Sequence, residues 1–212
     1  MQTCSRPLEH RRFAADCQRS GRGLDAAQVY NVRRPSTLLP PNYFRGAIVM
    51  SLAETLSKCW EFNRGRTLAL LELIEKEADP IAVLGWRPAP GRAHIGWQLM
   101  HIGVTEDIFG SERLIEKPSK WTDIRPRFRG GSQPDDDIPS PAQIREVLSS
   151  TRASLLETIS AFGDDRLNEI PEMLKERGWR VKDVLHIIAW HEAHHQGQAH
   201  ITYNLNKAAR GV

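Results

Sequence analysis

The chain has 212 residues, of which 40% are hydrophobic and 26% charged, and its formal net charge is +3. These values are typical of a globular protein with one domain and an appendage, whose core is large enough to fold without disulfides. No apolar run approaches the roughly 18–20 residues of a membrane-spanning helix, so we expect no membrane segment. Nothing in the charge pattern resembles the basic stripe of a nucleic-acid-binding protein, so we expect no nucleic acid partner.

Residues 1–49 differ from the rest of the chain in charge and in pattern. Eight arginines against three acidic residues give this segment +5, which leaves −2 for residues 50–212. The segment lacks hydrophobic periodicity and contains several prolines, and both features predict a disordered extension. Two alternatives to a disordered extension stay open. One is an arginine-rich transit peptide, and the other is a translation start at Met50, where the helical pattern begins.

The three cysteines, Cys4, Cys17 and Cys59, form no C-x-x-C pair. An odd number at these spacings argues against a disulfide framework and favours a reducing compartment, so we expect a cytoplasmic protein. For Cys59 we expect a buried structural thiol rather than a reactive one.

Four segments with helical periodicity follow the extension. The predicted helices cover about residues 51–77, 93–115, 141–162 and 181–207. In the first of them the apolar positions at helical spacing are Leu52, Leu56, Cys59 and Phe62. Four helices without a convincing strand predict an all-α fold, a four-helix bundle with long inter-helix connections that occupies residues 50–212.

The connections between the predicted helices are unusually long, and such loops often have a function or cover something. The longest, residues 118–140, includes the acidic run Asp135–Asp137. Three acidic residues can bind a metal, but a solvated turn is the favoured interpretation. A short helical turn is expected around residues 171–177.

Histidines concentrate in the fourth predicted helix, where five of the eight lie between positions 186 and 200. The heptad seam of this helix consists of Val181, Val184, Ile188, His191, His195, Gln198, Thr202 and Leu205. His191 and His195 are four residues apart and therefore share one helix face. His194 lies off the seam and is the main rival to His195, since residues three apart can also chelate.

The seam of the second predicted helix is apolar except for His101; its other members are Trp97, Val104, Ile108 and Ile115. A buried neutral histidine without a partner is unfavourable, because one ring nitrogen stays unsatisfied. His101, His191 and His195 on facing helices can share one divalent transition metal, which we expect to be zinc, nickel, iron or manganese. The alternative is three core histidines with separate hydrogen-bond partners.

The same residues match the H-E-x-x-H string of zinc peptidases, with Glu192 as the general base. The longer form of that motif fails by one place, since Gly197 and His200 occur one residue early. No substrate-aligning strand is evident upstream. A zinc peptidase is therefore a minor alternative.

Two stretches resemble the DinB-like (DinB/YfiT) family of metal-binding four-helix bundles. Residues 95–102 read I-G-W-Q-L-M-H-I and resemble the helix-two motif, an aromatic residue followed four positions later by a ligand histidine. Residues 190–198 read W-H-E-A-H-H-Q-G-Q and resemble the helix-four motif H-x-x-x-H-R-G-Q, with Gln196 in place of the common arginine. In layout the resemblance covers about residues 50–207.

The resemblance implies a divalent metal with three histidine ligands and open coordination positions. Characterised relatives include transferases that add bacillithiol or mycothiol to electrophiles and a thiol-dependent maleylpyruvate isomerase, and other members are described as metal-dependent hydrolases. We therefore expect a metal-dependent S-transferase or hydrolase acting on a small-molecule substrate, with a low-molecular-weight thiol as co-substrate and a homodimer as its assembly. The alternative is a non-catalytic metal-binding or dimerisation module of a stress or DNA-damage response.

No catalytic residue is assigned, but three polar residues are weak candidates. Gln198 lies one turn beyond His195 and can orient a water or ligand. Glu192 can shuttle protons, although a solvated position is favoured, and Asn63 in the first helix can line the cavity. Trp97 is expected to pack beside the site rather than act in it.

Overall fold

The computed structural model describes residues 50–212, and the regular structure in that part of the chain is entirely helical. The helices are α1 (Leu52–Glu75), α2 (Pro80–Gly85), α3 (Ile95–Asp107), α4 (Arg125–Phe128), α5 (Pro141–Ser160) and α6 (Val181–Arg210). The long helices α1, α3, α5 and α6 pack together as the predicted four-helix bundle. The predictions for residues 1–49, disorder, transit peptide or a start at Met50, lie outside the described residues.

The remaining helical segments are short. A π-helical segment, Ile108–Arg113, continues α3, and two 3₁₀ helices, Asp164–Asn168 and Glu172–Arg177, connect α5 to α6. The second of these confirms the helical turn expected around residues 171–177. No helix of the described residues combines the length and apolarity needed to cross a bilayer.

Two short helices lie where the sequence predicted only loops. The side chain of Asp79 caps α2, and Pro80 occupies its first turn. Pro126 likewise lies in the first turn of α4. Proline breaks a helix in its interior but is tolerated in the first turn, where the missing N–H has no helical partner anyway.

The starts of the long helices are set by side-chain caps. Ser51 and Glu54 form a capping box at α1, and Ser140 and Gln143 form another at α5. At α3 the cap is His94, whose Nδ1 accepts a hydrogen bond from the Trp97 amide at 3.0 Å. This cap fixes the beginning of the helix that carries His101.

The buried face of α1 differs from the predicted one. Its buried residues are Leu56, Trp60, Arg64, Thr67, Leu70, Leu71 and Ile74. Phe62 is 70% exposed and Cys59 is exposed, so the expectation of a buried Cys59 is wrong. The buried face of α1 includes the charged residue Arg64. A prediction from the hydrophobic pattern alone places a charged residue toward solvent and so selects a different face.

A closed ring of buried ion pairs joins all four long helices. Arg64 of α1 binds Glu106 of α3 at 2.9 Å and Glu192 of α6 at 2.7 Å. Arg152 of α5 binds the same two carboxylates at 2.6 Å and 2.5 Å. Each charge therefore faces two charges of opposite sign, and every member is less than 10% exposed.

The ion ring separates two apolar parts of the core. Along α1 it lies between Trp60 and Leu70, and along α5 between Leu148 and Leu155, with one residue of each pair in each apolar cluster. A buried charge without a partner is strongly unfavourable, so each member of the ring depends on the others. The ring links the four helices at one level, and Glu106 of α3 and Glu192 of α6 share the same two arginines.

Candidate metal centre

Three histidine side chains converge between α3 and α6. His101, His191 and His195 each bring one ring nitrogen within 4.8 Å of the others, and the described residues contain no second group of this kind. The Nε2 atoms of His101 and His191 are 3.1 Å apart. Two imidazole nitrogens at ~2.0–2.2 Å from one ion, with angles of about 90–110°, are about 3.0–3.5 Å apart. The pair therefore fits one metal ion without a large movement.

Hydrogen bonds hold two of the rings in the tautomer that a metal requires. Nδ1 of His101 donates to the Phe128 carbonyl at 2.6 Å, which leaves its Nε2 free of a proton. Nδ1 of His195 donates to Oε1 of Gln98 at 2.5 Å. Metal-binding histidines characteristically donate their second ring nitrogen to a carbonyl or carboxylate in this way.

Trp97 fixes the plane of the His101 ring. The two rings stack with centroids 4.6 Å apart and planes inclined by 16°. The indole N–H donates a hydrogen bond to the Arg127 carbonyl at 3.0 Å, so the polar group of Trp97 is engaged by the backbone. Trp97 therefore packs beside the site, as the sequence predicted.

All three imidazoles are neutral at physiological pH. Burial, followed by the proximity of His195 and His101, lowers the pKa of His191 to about 2. Burial and the proximity of His101 and His194 lower the pKa of His195 to about 3. Burial also lowers the pKa of His101, against the opposing effect of its bond to Phe128. Neutral imidazole is the form that binds metal.

A cavity of about 330 Å³ adjoins the histidines, and His101 and His191 form part of its wall. This volume lies within the range of small-molecule binding sites. Three protein ligands leave at least one coordination position of a transition metal for another molecule. Three converging histidines beside a cavity would thus leave room for a further ligand on any ion that they held.

Glu192 is not a solvated surface residue, and that expectation is wrong. It is 2% exposed. One carboxylate oxygen accepts from Arg64 and from the hydroxyl of Thr67, and the other accepts from Arg152. Because both oxygens are engaged in the ion ring, the carboxylate is poorly placed to activate a water at the histidines. This geometry weighs against the zinc peptidase alternative.

Neither of the other two candidates lines the cavity beside the histidines. Gln198 is exposed, and its amide contacts Nε2 of His194 at 3.0 Å. Asn63 donates to the Ala189 carbonyl at 2.9 Å and so ties α1 to α6. The structure brings His195, and not the exposed His194, to the other two histidines.

The acidic run of the long loop forms surface ion pairs. Asp135 and Asp137 both bind Arg127 at 2.8 Å, and Asp136 binds Arg87 at 2.7 Å. All three aspartates are exposed, in agreement with the favoured interpretation of a solvated turn.

Sequence reasoning missed the hydrogen-bond partners of the histidines. Gln98 is a buried polar residue three positions before His101, in a helix that is otherwise largely apolar, and this pattern could have revealed it. The Phe128 carbonyl is a backbone group 27 residues away from His101, and no sequence pattern indicates it. The long connection lies against the site, since Phe128 contacts His101 and Arg129 and Gly130 line the cavity.

The family model of the DinB superfamily matches residues 60–199, about two thirds of the chain, and this range includes all three converging histidines. No curated protein matches the chain.

Proposed function

Because the chain belongs to the DinB superfamily, we propose that it is an enzyme that depends on one divalent transition metal held by His101, His191 and His195. The convergence of these three neutral imidazoles is the observation that carries the proposal. The hydrogen bonds from His101 to Phe128 and from His195 to Gln98 support it, because they orient two of the rings.

The chemistry that a bound ion would supply is Lewis-acid activation of a nucleophile, a thiol in S-transfer or water in hydrolysis. The residues around the cavity favour S-transfer. In many hydrolases a carboxylate takes a proton from the attacking water, and no carboxylate lines the cavity among the described residues. A free thiol has a pKa of about 8.5, so a bound ion would make it a thiolate near neutral pH and its proton would pass to solvent without a carboxylate base. We therefore propose transfer of a low-molecular-weight thiol as the reaction class, with hydrolysis second.

The residues of the chain have three tasks in this proposal. Trp97 and the Phe128 carbonyl hold the His101 ring, and Gln98 holds His195. The cavity wall binds the substrate next to His101 and His191. The ion ring keeps α3 and α6 in register, so that histidines from two helices meet at one point.

The rival proposal is a non-catalytic metal-binding or dimerisation module. A structural site typically has four protein ligands and no adjoining cavity. Here three ligands converge beside a cavity of about 330 Å³, and this difference favours an enzyme.

A metal-resolved activity screen tests the proposal. The full chain is reconstituted separately with zinc, nickel, iron and manganese, and each form is assayed with several low-molecular-weight thiols and a chromogenic electrophile. Nitrophenyl esters provide the hydrolysis arm. We expect thiol conjugation that depends on the metal and is lost in His191→Ala. If metal-replete protein is no faster than His191→Ala in every assay, the enzyme proposal fails and the non-catalytic module replaces it.

A further inference from the structure

The cavity beside the histidines has a strongly positive wall. Four arginines line it, namely Arg113, Arg125, Arg129 and Arg177. The other lining residues are histidines, a threonine, a glycine and apolar side chains, so no lining residue carries a negative charge. The four guanidinium groups come from three separate parts of the chain: the π-helical segment, the region of α4, and the second 3₁₀ helix. The fold therefore gathers charges that are distant in sequence.

Most of this charge is not balanced within the described residues. Arg125 pairs with Glu112, a residue outside the cavity wall. Arg113, Arg129 and Arg177 have no carboxylate within salt-bridge distance in residues 50–212. Two of them lie over aromatic rings instead, Arg113 over Phe109 at 4.9 Å and Arg177 over Trp179 at 4.8 Å. The aromatic contacts fix these guanidinium groups while leaving their N–H donors available.

Like charges are held close together in this wall. Burial, followed by the proximity of Arg177, lowers the pKa of Arg113, and Arg125 adds to the effect against the opposing Glu112. Such an arrangement is unfavourable unless an anion joins it, because guanidinium groups of equal sign repel one another. Carboxylate and phosphate match the planar fork of arginine and form two parallel hydrogen bonds with it.

We propose that this cavity selects a small substrate with at least two negative charges, carboxylate or phosphate, and that Arg113, Arg129 and Arg177 bind its anionic groups. The assignment of the neighbouring histidines to chemistry rests on the proposed function, whereas the anion site rests on the arginines alone. His101 and His191 share the cavity with them, so the reactive part of an anion bound here lies next to the histidines. A volume of about 330 Å³ fits a small molecule, whereas a nucleic acid needs an extended basic face.

Calorimetric titration of the full chain at low ionic strength tests this assignment. The probes are succinate, tricarballylate and inorganic phosphate, and the neutral succinamide is the matched control ligand. The variants are Arg113→Gln and Arg177→Gln. The control variant is Arg66→Gln, which removes one exposed charge of α1 outside the cavity. Arg177 is exposed, so its replacement tests the site even where the half-buried Arg113 proves necessary for folding.

We expect at least one of the three anions to bind and succinamide not to bind. Each cavity variant should weaken anion binding about tenfold or more, since each removes a charge-assisted hydrogen bond. Arg66→Gln should stay within about twofold of the wild type, because distant exposed charges are screened. Comparison of phosphate with the two carboxylates identifies the anionic group.

The inference is overturned if none of the anions binds, if succinamide binds as well as succinate, or if both cavity variants bind like the wild type. Each titration is repeated on protein treated with a chelator and dialysed. Anion binding by a protein without metal-dependent activity leaves this inference standing while the proposed function fails. Turnover of uncharged substrates without anion binding gives the reverse result.

Discussion

Oε1 of Gln98 lies 2.5 Å from Nδ1 of His195, so a glutamine of α3 orients a histidine of α6. The bond leaves Nε2 as the ring nitrogen of His195 that can meet a metal. It also links the two helices that supply all three histidines. Gln98 is 7% exposed, and water cannot readily replace it as the acceptor.

Replacing Gln98 with leucine should therefore weaken metal binding while the protein stays folded. Loss of such an outer partner typically reduces metal affinity 10–100-fold, and we expect a change of about this size. Competition with a chromophoric chelator measures the affinity. The matched control is Gln133→Leu, since Gln133 is exposed in the connection between α4 and α5. Equal metal affinities of the two variants would show that Gln98 does not position His195.

The ion ring predicts a large loss of stability from a single neutral replacement. In Glu192→Gln, Arg64 and Arg152 keep only Glu106 as a carboxylate partner, so one buried positive charge is unbalanced. Breaking a buried ion pair at one partner costs about 3–5 kcal/mol, and we expect a decrease of this order in the free energy of unfolding. Urea denaturation followed by circular dichroism measures it.

The exposed pair of Arg166 and Glu169 provides the control for that experiment. Glu169→Gln removes a carboxylate of the same type at the surface, and its denaturation midpoint should barely change. A Glu192→Gln protein as stable as this control would mean that the ring does not hold the four helices in register.

The lowered histidine pKa values predict how the metal-free protein responds to acid. In the unfolded chain these histidines bind protons below about pH 6.5, whereas in the fold His195 does so near pH 3 and His191 near pH 2. Between these limits the unfolded state binds more protons, so stability falls as the pH falls. Each histidine lowers the free energy of unfolding by up to about 1.4 kcal/mol per pH unit once the pH is well below 6.5.

Urea midpoints of the chelator-treated protein between pH 7 and pH 5 measure this effect, above the range where carboxylates titrate. The double variant His191→Gln/His195→Gln should show a clearly shallower decline than the wild type. Parallel pH profiles would rule out the two histidines as the source of the acid sensitivity.

The long helices and the converging histidines could be predicted from sequence because each leaves a local signal. Periodicity identifies the helices, and His101 interrupts an apolar stripe. His191 and His195 are four residues apart and must share a helix face. These signals need no knowledge of how the helices pack.

The predicted buried face of α6 is wrong in the C-terminal part of the helix. The predicted heptad seam continues through Gln198 and Leu205, but both are exposed, while Ala199, Tyr203 and Asn206 are buried. A straight α-helix has 3.6 residues per turn, so a stripe with a period of 3.5 drifts by about 20° per heptad. Thr202 of the seam is still buried, but at its last position, Leu205, the predicted seam has left the buried face.

The ion ring and the arginine-lined cavity could not be predicted, because each is assembled from distant segments. Arg64 and Glu192 are 128 positions apart, and a single buried arginine on a helix looks like a solvent-facing residue. The four cavity arginines come from three segments, two of which lie in or beside the connections between the long helices. Only the packed structure shows that these charges meet.

The central claim is that His101, His191 and His195 bind one metal ion, and elemental analysis of the full chain tests it most directly. The protein is purified without a histidine tag, reconstituted with transition metals and dialysed. We expect about one metal ion per chain in the wild type and in His194→Ala, whose exposed ring lies outside the convergent group, and almost none in His191→Ala. A wild type without metal, or a His191→Ala variant that retains as much as His194→Ala, would contradict the claim.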